Sequence, residues 1–171
     1  MANIPRIVGA PDFGKLIAPE ESLGKRLEGK RVLLTGTTKG VGRVTQELLC
    51  AQGAFVCGSG RSKGVAAEVA NELVAKGYKA AGFDVDLSDY EAVKKWVAEC
   101  AELMGGIDVV INNASHPGMA PFGEMTPDIW AYGIQNELDL VYNVCNCAWP
   151  YLIEAGGGSI VITSSTVGLQ G

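Results

Sequence analysis

The sequence has one histidine, His116, no long run of lysine or arginine, and no apolar stretch near the length of a membrane span. Each shortage excludes something. A helix needs ~20 mostly apolar residues to cross a bilayer, so no spanning helix and no membrane partner are expected. Lys and Arg number 14 against 19 Asp and Glu, a formal net charge of -5. With no basic cluster, a nucleic-acid surface is not expected either. An anionic ligand would have to be held by local features against an unfavourable overall charge. The cysteines Cys50, Cys57, Cys100, Cys145 and Cys147 are odd in number and follow no framework spacing. That pattern points to reduced thiols and a cytoplasmic location. Cys145 and Cys147 stand i and i+2 in a helical stretch and so point to different faces; no metal site is expected. The first thirty residues lack the ~7–15-residue apolar core of a signal peptide.

What is present is ordinary for a globular chain, with 47% hydrophobic and 19% charged residues over 171 positions, and one folded domain is the natural expectation. Residues 1–28, with Pro5, Pro11 and Pro19, read as an arm over the domain surface or as disordered chain. The domain runs over 29–171. Short β-branched or apolar runs at 31–34, 54–59, 78–83, 107–111 and 159–163 predict strands. Helical spacing predicts helices over 41–52, 63–76, 89–104 and 127–154. Gly53, Gly77, Gly105 and Gly156 supply stop signals, and Thr126-Pro127 supplies a start. Pro150 should kink the last helix or mark its final full turn. Strands alternating with helices predict an α/β fold, a doubly wound, Rossmann-like parallel sheet in the order 3-2-1-4-5. The fifth strand, strongly apolar, would then lie at an edge.

Thr35-Gly36-Thr37-Thr38-Lys39-Gly40-Val41-Gly42 follows the first predicted strand and opens a helix. Gly36 permits a tight turn, Gly40 allows close approach of a pyrophosphate, and Gly42 lets the helix pack near the sheet. The helix N-terminus adds partial positive charge. Further on come Ile111-Asn112-Asn113-Ala114 and, after the fifth strand, Ser164-Ser165. Together these motifs resemble the short-chain dehydrogenase/reductase family, in its single-domain branch, over residues 29–171. The resemblance implies that Gly36, Thr38, Lys39, Gly40, Val41 and Gly42 cradle a dinucleotide. NAD-binding relatives end the second strand with an acidic residue. Here Gly58-Ser59-Gly60-Arg61-Ser62 carries none; Arg61 with Ser62, and Lys39, can instead meet a 2′-phosphate. NADP(H) is therefore expected over NAD(H). Asp86-Leu87 resembles the pair the family places at the adenine ring, with Asp84 as a register rival. Asn113, Ala114 and Ser115 should line the cofactor; the family ordinarily has glycine at the position of Ser115. His116 follows, near the expected mouth of the active site, where a lone loop histidine is ordinarily structural or exposed.

The resemblance also implies chemistry. Ser165 matches the serine that bonds the substrate oxygen. The family's tyrosine and lysine, spaced Tyr-x-x-x-Lys, come about a dozen residues later, and no such motif follows Ser165 within these 171 residues. Tyr90 to Lys94 fits by letter only, since it precedes the serine and lies on the adenine side; it reads as a surface i,i+4 pair. An asparagine on the long helix completes the family's proton relay. Alignment on Trp130 and Leu138 puts Glu137 at its position and Asn136 one residue early. At about 100° per residue the two cannot both face the site; either Glu137 substitutes or the helix shifts register. The expected function is an NADP(H)-dependent oxidoreductase interconverting an alcohol and a carbonyl compound of small size. This chain would be a truncated form, inactive alone, with homo-oligomers expected only for a full-length form. The alternative is a non-catalytic nucleotide-binding module or partner subunit.

Overall fold

The computed structural model describes residues 25–166. Five strands form one sheet: β1 (Arg31–Thr35), β2 (Phe55–Gly60), β3 (Lys79–Asp84), β4 (Val109–Asn112) and β5 (Ser159–Ile162). They lie in the order β3-β2-β1-β4-β5, and every neighbouring pair is parallel. Between them run α1 (Gly40–Ala51), α2 (Val65–Ala75), α3 (Tyr90–Met104), α4 (Pro127–Ile134) and α5 (Leu140–Glu154). This is the doubly wound order expected from the sequence.

The central strand shows why. In β1, Val32, Leu33 and Leu34 are all buried, as a strand covered on both faces requires. Leu33 points with Cys57 and Val110 into a core closed by Val93, Trp96 and Val97 of α3 and Val144 and Leu152 of α5. Val32 and Leu34 point the other way, with Val56, toward Cys50 of α1 and Leu73 of α2. Most strands run one residue further than their apolar letters suggest. Thr35 still pairs with Ser59, Gly60 with Asp84 and Asn112 with Ile162. Backbone pairing does not need an apolar side chain, so β1, β3 and β4 each end on a polar residue, Thr35, Asp84 and Asn112.

The helix ends follow their chemistry. Asp89 accepts the N–H groups of Glu91 and Ala92 at 3.0 and 3.2 Å, capping α3. The α3 C-terminus closes on Gly105 with φ of 76°, a left-handed turn. Thr126 accepts the Ile129 N–H at 3.3 Å, and Pro127 occupies the first turn of α4. Leu27 packs on the core and its N–H reaches the Gln52 carbonyl at 2.9 Å. Residues 1–24 of the expected arm lie outside the described residues, as do Val167 to Gly171. β5 leaves Val161 and Ile162 half-exposed at the sheet edge.

One expectation is corrected. The helix over 127–154 is not continuous: Gln135–Asp139 forms a π-helical turn between α4 and α5. Pro150 sits inside α5, which continues to Glu154.

Candidate functional site

The C-terminal ends of β1, β2 and β4, with the loops that leave them, enclose a cleft of about 570 Å³. Its position, where the strand order reverses between β1 and β4, is where open α/β sheets bind ligands. Every residue expected to hold the nucleotide lines it, from Gly36, Thr38, Lys39, Gly40, Val41 and Gly42 through Arg61, Ser62, Asp86 and Leu87 to Asn113, Ala114 and Ser115.

The glycine loop is built by steric demand. Gly36 has φ of 75°, and a Cβ there would press on the Ala114 backbone at 3.0 Å. Gly40 has φ of 56° and open space where a Cβ would stand. At Gly42 a Cβ would overlap the Gly36 carbonyl oxygen and crowd the Asn113 amide. Asn113 locks the loop to β4. Its Nδ2 donates to the carbonyls of Thr35 and Gly36 at 3.1 and 3.3 Å. The N–H groups of Asn113 and Ala114 both donate to Thr35 Oγ1 at 3.0 Å. The first turn of α1 has no side-chain cap and no acidic residue. Its N-terminal amides and partial positive charge are thus left to an anion, the arrangement that suits a phosphate.

Around the rim the carboxylates are already engaged. Asp84, at the end of β3, accepts the Gly64 N–H at 2.8 Å and so fixes the start of α2. Asp86 accepts from the Ser88 hydroxyl at 2.7 Å and the Ser88 N–H at 3.0 Å. Those two bonds hold its carboxyl below the usual carboxylate range, with the nearby Arg61 charge adding to the effect. Arg61 reaches across the cleft, its Nη1 3.4 Å from Asn136 Oδ1. Ser59, unassigned by sequence reasoning, lines the cleft fully buried, and its hydroxyl has no hydrogen-bond partner among the described residues. Its only sequence signal is its place two residues before Arg61, on the last rung of β2.

Of Asn136 and Glu137 only Asn136 lines the cleft, as expected of neighbours that cannot both face it. The π-turn Gln135–Asp139 carries an extra residue per turn and so shifts the register of the helix at this point. Asn136 is buried and lines the cleft, its Nδ2 donating to the Tyr132 carbonyl at 2.9 Å. Glu137 accepts from Ser115 Oγ at 2.9 Å and from the His116 N–H. The Ser115 side chain is thus turned to Glu137. Ser165 lies three residues beyond β5 and is exposed; it is not among the residues that line the cleft. Tyr90 does not line the cleft either. Its hydroxyl donates to Asn146 Oδ1 of α5 at 2.8 Å, so it joins two helices instead of pairing with Lys94. Among the described residues no three His, Cys, Asp or Glu gather as metal ligands, and no helix is long and apolar enough to cross a membrane.

A profile described as short chain dehydrogenase matches residues 30–171. The chain belongs to the short chain dehydrogenase family. A 3-oxoacyl-(acyl-carrier-protein) reductase of Thermotoga maritima is 34% identical over 146 residues, which are 85% of this chain and 59% of that relative. A cyclohexanol dehydrogenase of an Acinetobacter species is 31% identical over 153 residues, 89% of this chain and 61% of the relative. The crystal structure of a short chain dehydrogenase from Mycobacterium smegmatis superposes with a TM-score of 0.80 at 28% identity, covering 85% of this chain and 62% of the other. The chain therefore spans less than two thirds of the length of these relatives.

Proposed function

We propose that the cleft binds NADP(H), and that the chain is the nucleotide-binding part of an oxidoreductase interconverting an alcohol and a carbonyl compound. The uncapped N-terminus of α1, opening on a cleft that a dinucleotide can enter, carries this reading. Bound nicotinamide supplies the hydride in such chemistry. The residues here bind and orient. The α1 amides and the open face of Gly40 receive the pyrophosphate. Arg61, Ser62 and Lys39 meet the 2′-phosphate, with no free carboxylate at the end of β2 to repel it. Asp86 and Leu87 border the adenine, and Asn113 holds the loop rigid beneath. Ser165, by its match to the family's serine, is the residue assigned to a substrate oxygen. Relatives named for acting on 3-oxoacyl groups, cyclohexanol and hydroxysteroids support an alcohol–carbonyl pair as substrate class.

The alternative, a nucleotide-binding module without turnover, draws on one observation. The only Tyr-x-x-x-Lys of the sequence is Tyr90 to Lys94, on α3 and outside the cleft. This chain by itself is expected to bind NADPH and to show no dehydrogenase activity above background. Fluorescence titration with NADPH and NADH, followed by a turnover assay on the 171-residue protein, checks both halves. Equal affinity for the two nucleotides would sink the NADP(H) assignment, and steady turnover without a partner would sink the claim of inactivity.

A further inference from the structure

The loop that leaves β4 carries the only histidine in the sequence, and two side chains fix it. Glu137, from the π-turn, accepts the His116 backbone N–H and the Ser115 hydroxyl. Tyr132, from the last turn of α4, stands edge-on to the imidazole, ring centroids 5.6 Å apart at 83°. Its hydroxyl lies 3.0 Å from His116 Nδ1. Asn136, in turn, donates to the Tyr132 carbonyl. The π-turn thus grips both the backbone of His116 and the helix that bears its ring partner. No hydrogen bond to His116 Nε2 occurs among the described residues, yet the residue lines the cleft. A loop histidine with no task does not need such an arrangement.

We propose that His116 is a ligand-facing donor: it offers Nε2–H to an oxygen acceptor at the β4–β5 end of the cleft. Tyr132 sets the tautomer and Glu137 the loop, as positioning residues. The direction of the Tyr132 bond follows from chemistry. A phenol is the better donor and an unprotonated ring nitrogen the better acceptor, so the hydroxyl donates to Nδ1 and the ring proton resides on Nε2. The place of the acceptor follows from register. Asn112 pairs with Ile162, and the Thr163 N–H donates to the Asn112 carbonyl at 2.9 Å. The strands therefore release 113–116 and 163–165 side by side, away from the adenine end at Asp86 and Arg61. The acceptor is a carbonyl or hydroxyl oxygen, either the carboxamide of a nicotinamide or the substrate's own. This inference rests on the reading of the cleft as a dinucleotide site.

Because His116 is unique, histidine labelled with 15N gives one imidazole to observe in the 171-residue protein. In the free protein the Nε2-protonated tautomer is expected. Tyr132→Phe should convert it to a tautomer mixture while the backbone spectrum elsewhere holds. Glu137→Gln, which keeps an acceptor, should leave the His116 amide in place, and Glu137→Ala should shift it. Three ligands are then added in turn with binding followed by calorimetry: 2′,5′-ADP, NADP+, and NADP+ with cyclohexanol. The adenosine fragment should leave the ring unmoved. A shift of Nε2–H with NADP+ alone assigns the acceptor to the carboxamide, and a shift only with cyclohexanol present assigns it to the substrate. A ring protonated at Nδ1 overturns the inference. So does a ring unmoved in both of the last arms while calorimetry records bound NADP+, an outcome that leaves the nucleotide reading intact. Absence of any nucleotide binding removes that reading and the inference with it.

Discussion

Arg61 is the residue on which the proposed preference for NADP(H) rests. Its hydrogen bond across the cleft, 3.4 Å to Asn136 Oδ1, is at the long limit for such a bond. A phosphate would therefore displace little to claim the guanidinium. Hydrogen bonds to charged groups contribute roughly 1.5–3 kcal/mol, and about 1.4 kcal/mol is tenfold in affinity. Arg61→Ala should then weaken NADPH binding by about ten- to a hundredfold and change NADH binding little; Arg61→Lys, which keeps the charge but loses the planar fork, should fall between. A parallel loss for both nucleotides would instead place Arg61 in a general structural role. That Arg61 and the glycine loop line one cleft was legible, because the residue types at the end of β2 and in that loop are local letters read in a known order. Asp86 lines the same cleft, whereas its rival Asp84 holds the start of α2. Ser59, Tyr132 and the anchoring of His116 were not legible, since each depends on what another segment brings to it.

At the scale of elements, the sequence rhythm of strands and helices carried the fold, and the errors lie at the seams. The long helix is the informative one. Its apolar spacing and its cap at Thr126 are sound evidence for a helix, and none of that evidence registers one residue inserted at Gln135–Asp139. Periodicity reports which face is apolar, averaged over turns; a single wide turn leaves the average unchanged and rotates everything after it. The conflict between Asn136 and Glu137 was the visible trace of that insertion. The join of α1 to the sheet, by contrast, is dictated at one position. Gly42 lies against the Gly36 carbonyl and the Asn113 amide that locks β4. Gly42→Ala forces α1 away from β1, and overpacking of this kind costs typically about 1–3 kcal/mol. A urea melt of the variant should show that loss, together with weaker NADPH binding, since the α1 amides move with the helix. Unchanged stability and affinity would mean that the loop relaxes without disturbing the cradle.

For the whole molecule, the two ends of the sheet are held by different chemistry. The C-terminal edge is polar and left open for a ligand. The opposite edge is closed by Arg31, which starts β1, and Asp108, which precedes β4. Arg31 donates to Asp108 from its backbone N–H and Nε at 2.9 Å and from Nη2 at 2.7 Å, and Nη1 reaches the Gly105 carbonyl. Both side chains are largely shielded, at 25% and 19% exposure. The guanidinium bonds hold the Asp108 carboxyl below its ordinary value, and the Ser88 bonds do the same for Asp86. A carboxyl with a lowered folded-state pKa binds its proton more readily in the unfolded chain. Its stabilisation is therefore complete above about pH 4, the unfolded value, and is lost as pH falls through the lower folded value. The protein should be stable from neutrality to near pH 5 and lose stability steeply below pH 4. Asp108→Asn should cost about 1–2 kcal/mol at pH 7, on the scale of a charge-assisted fork, and should flatten the acid limb, because one of the titrating carboxyls is gone. Urea melts at a series of pH values measure both effects. A variant that loses stability equally at pH 7 and pH 3 would show that Asp108 acts by shape alone, and that the acid limb belongs to Asp86 and the remaining carboxylates.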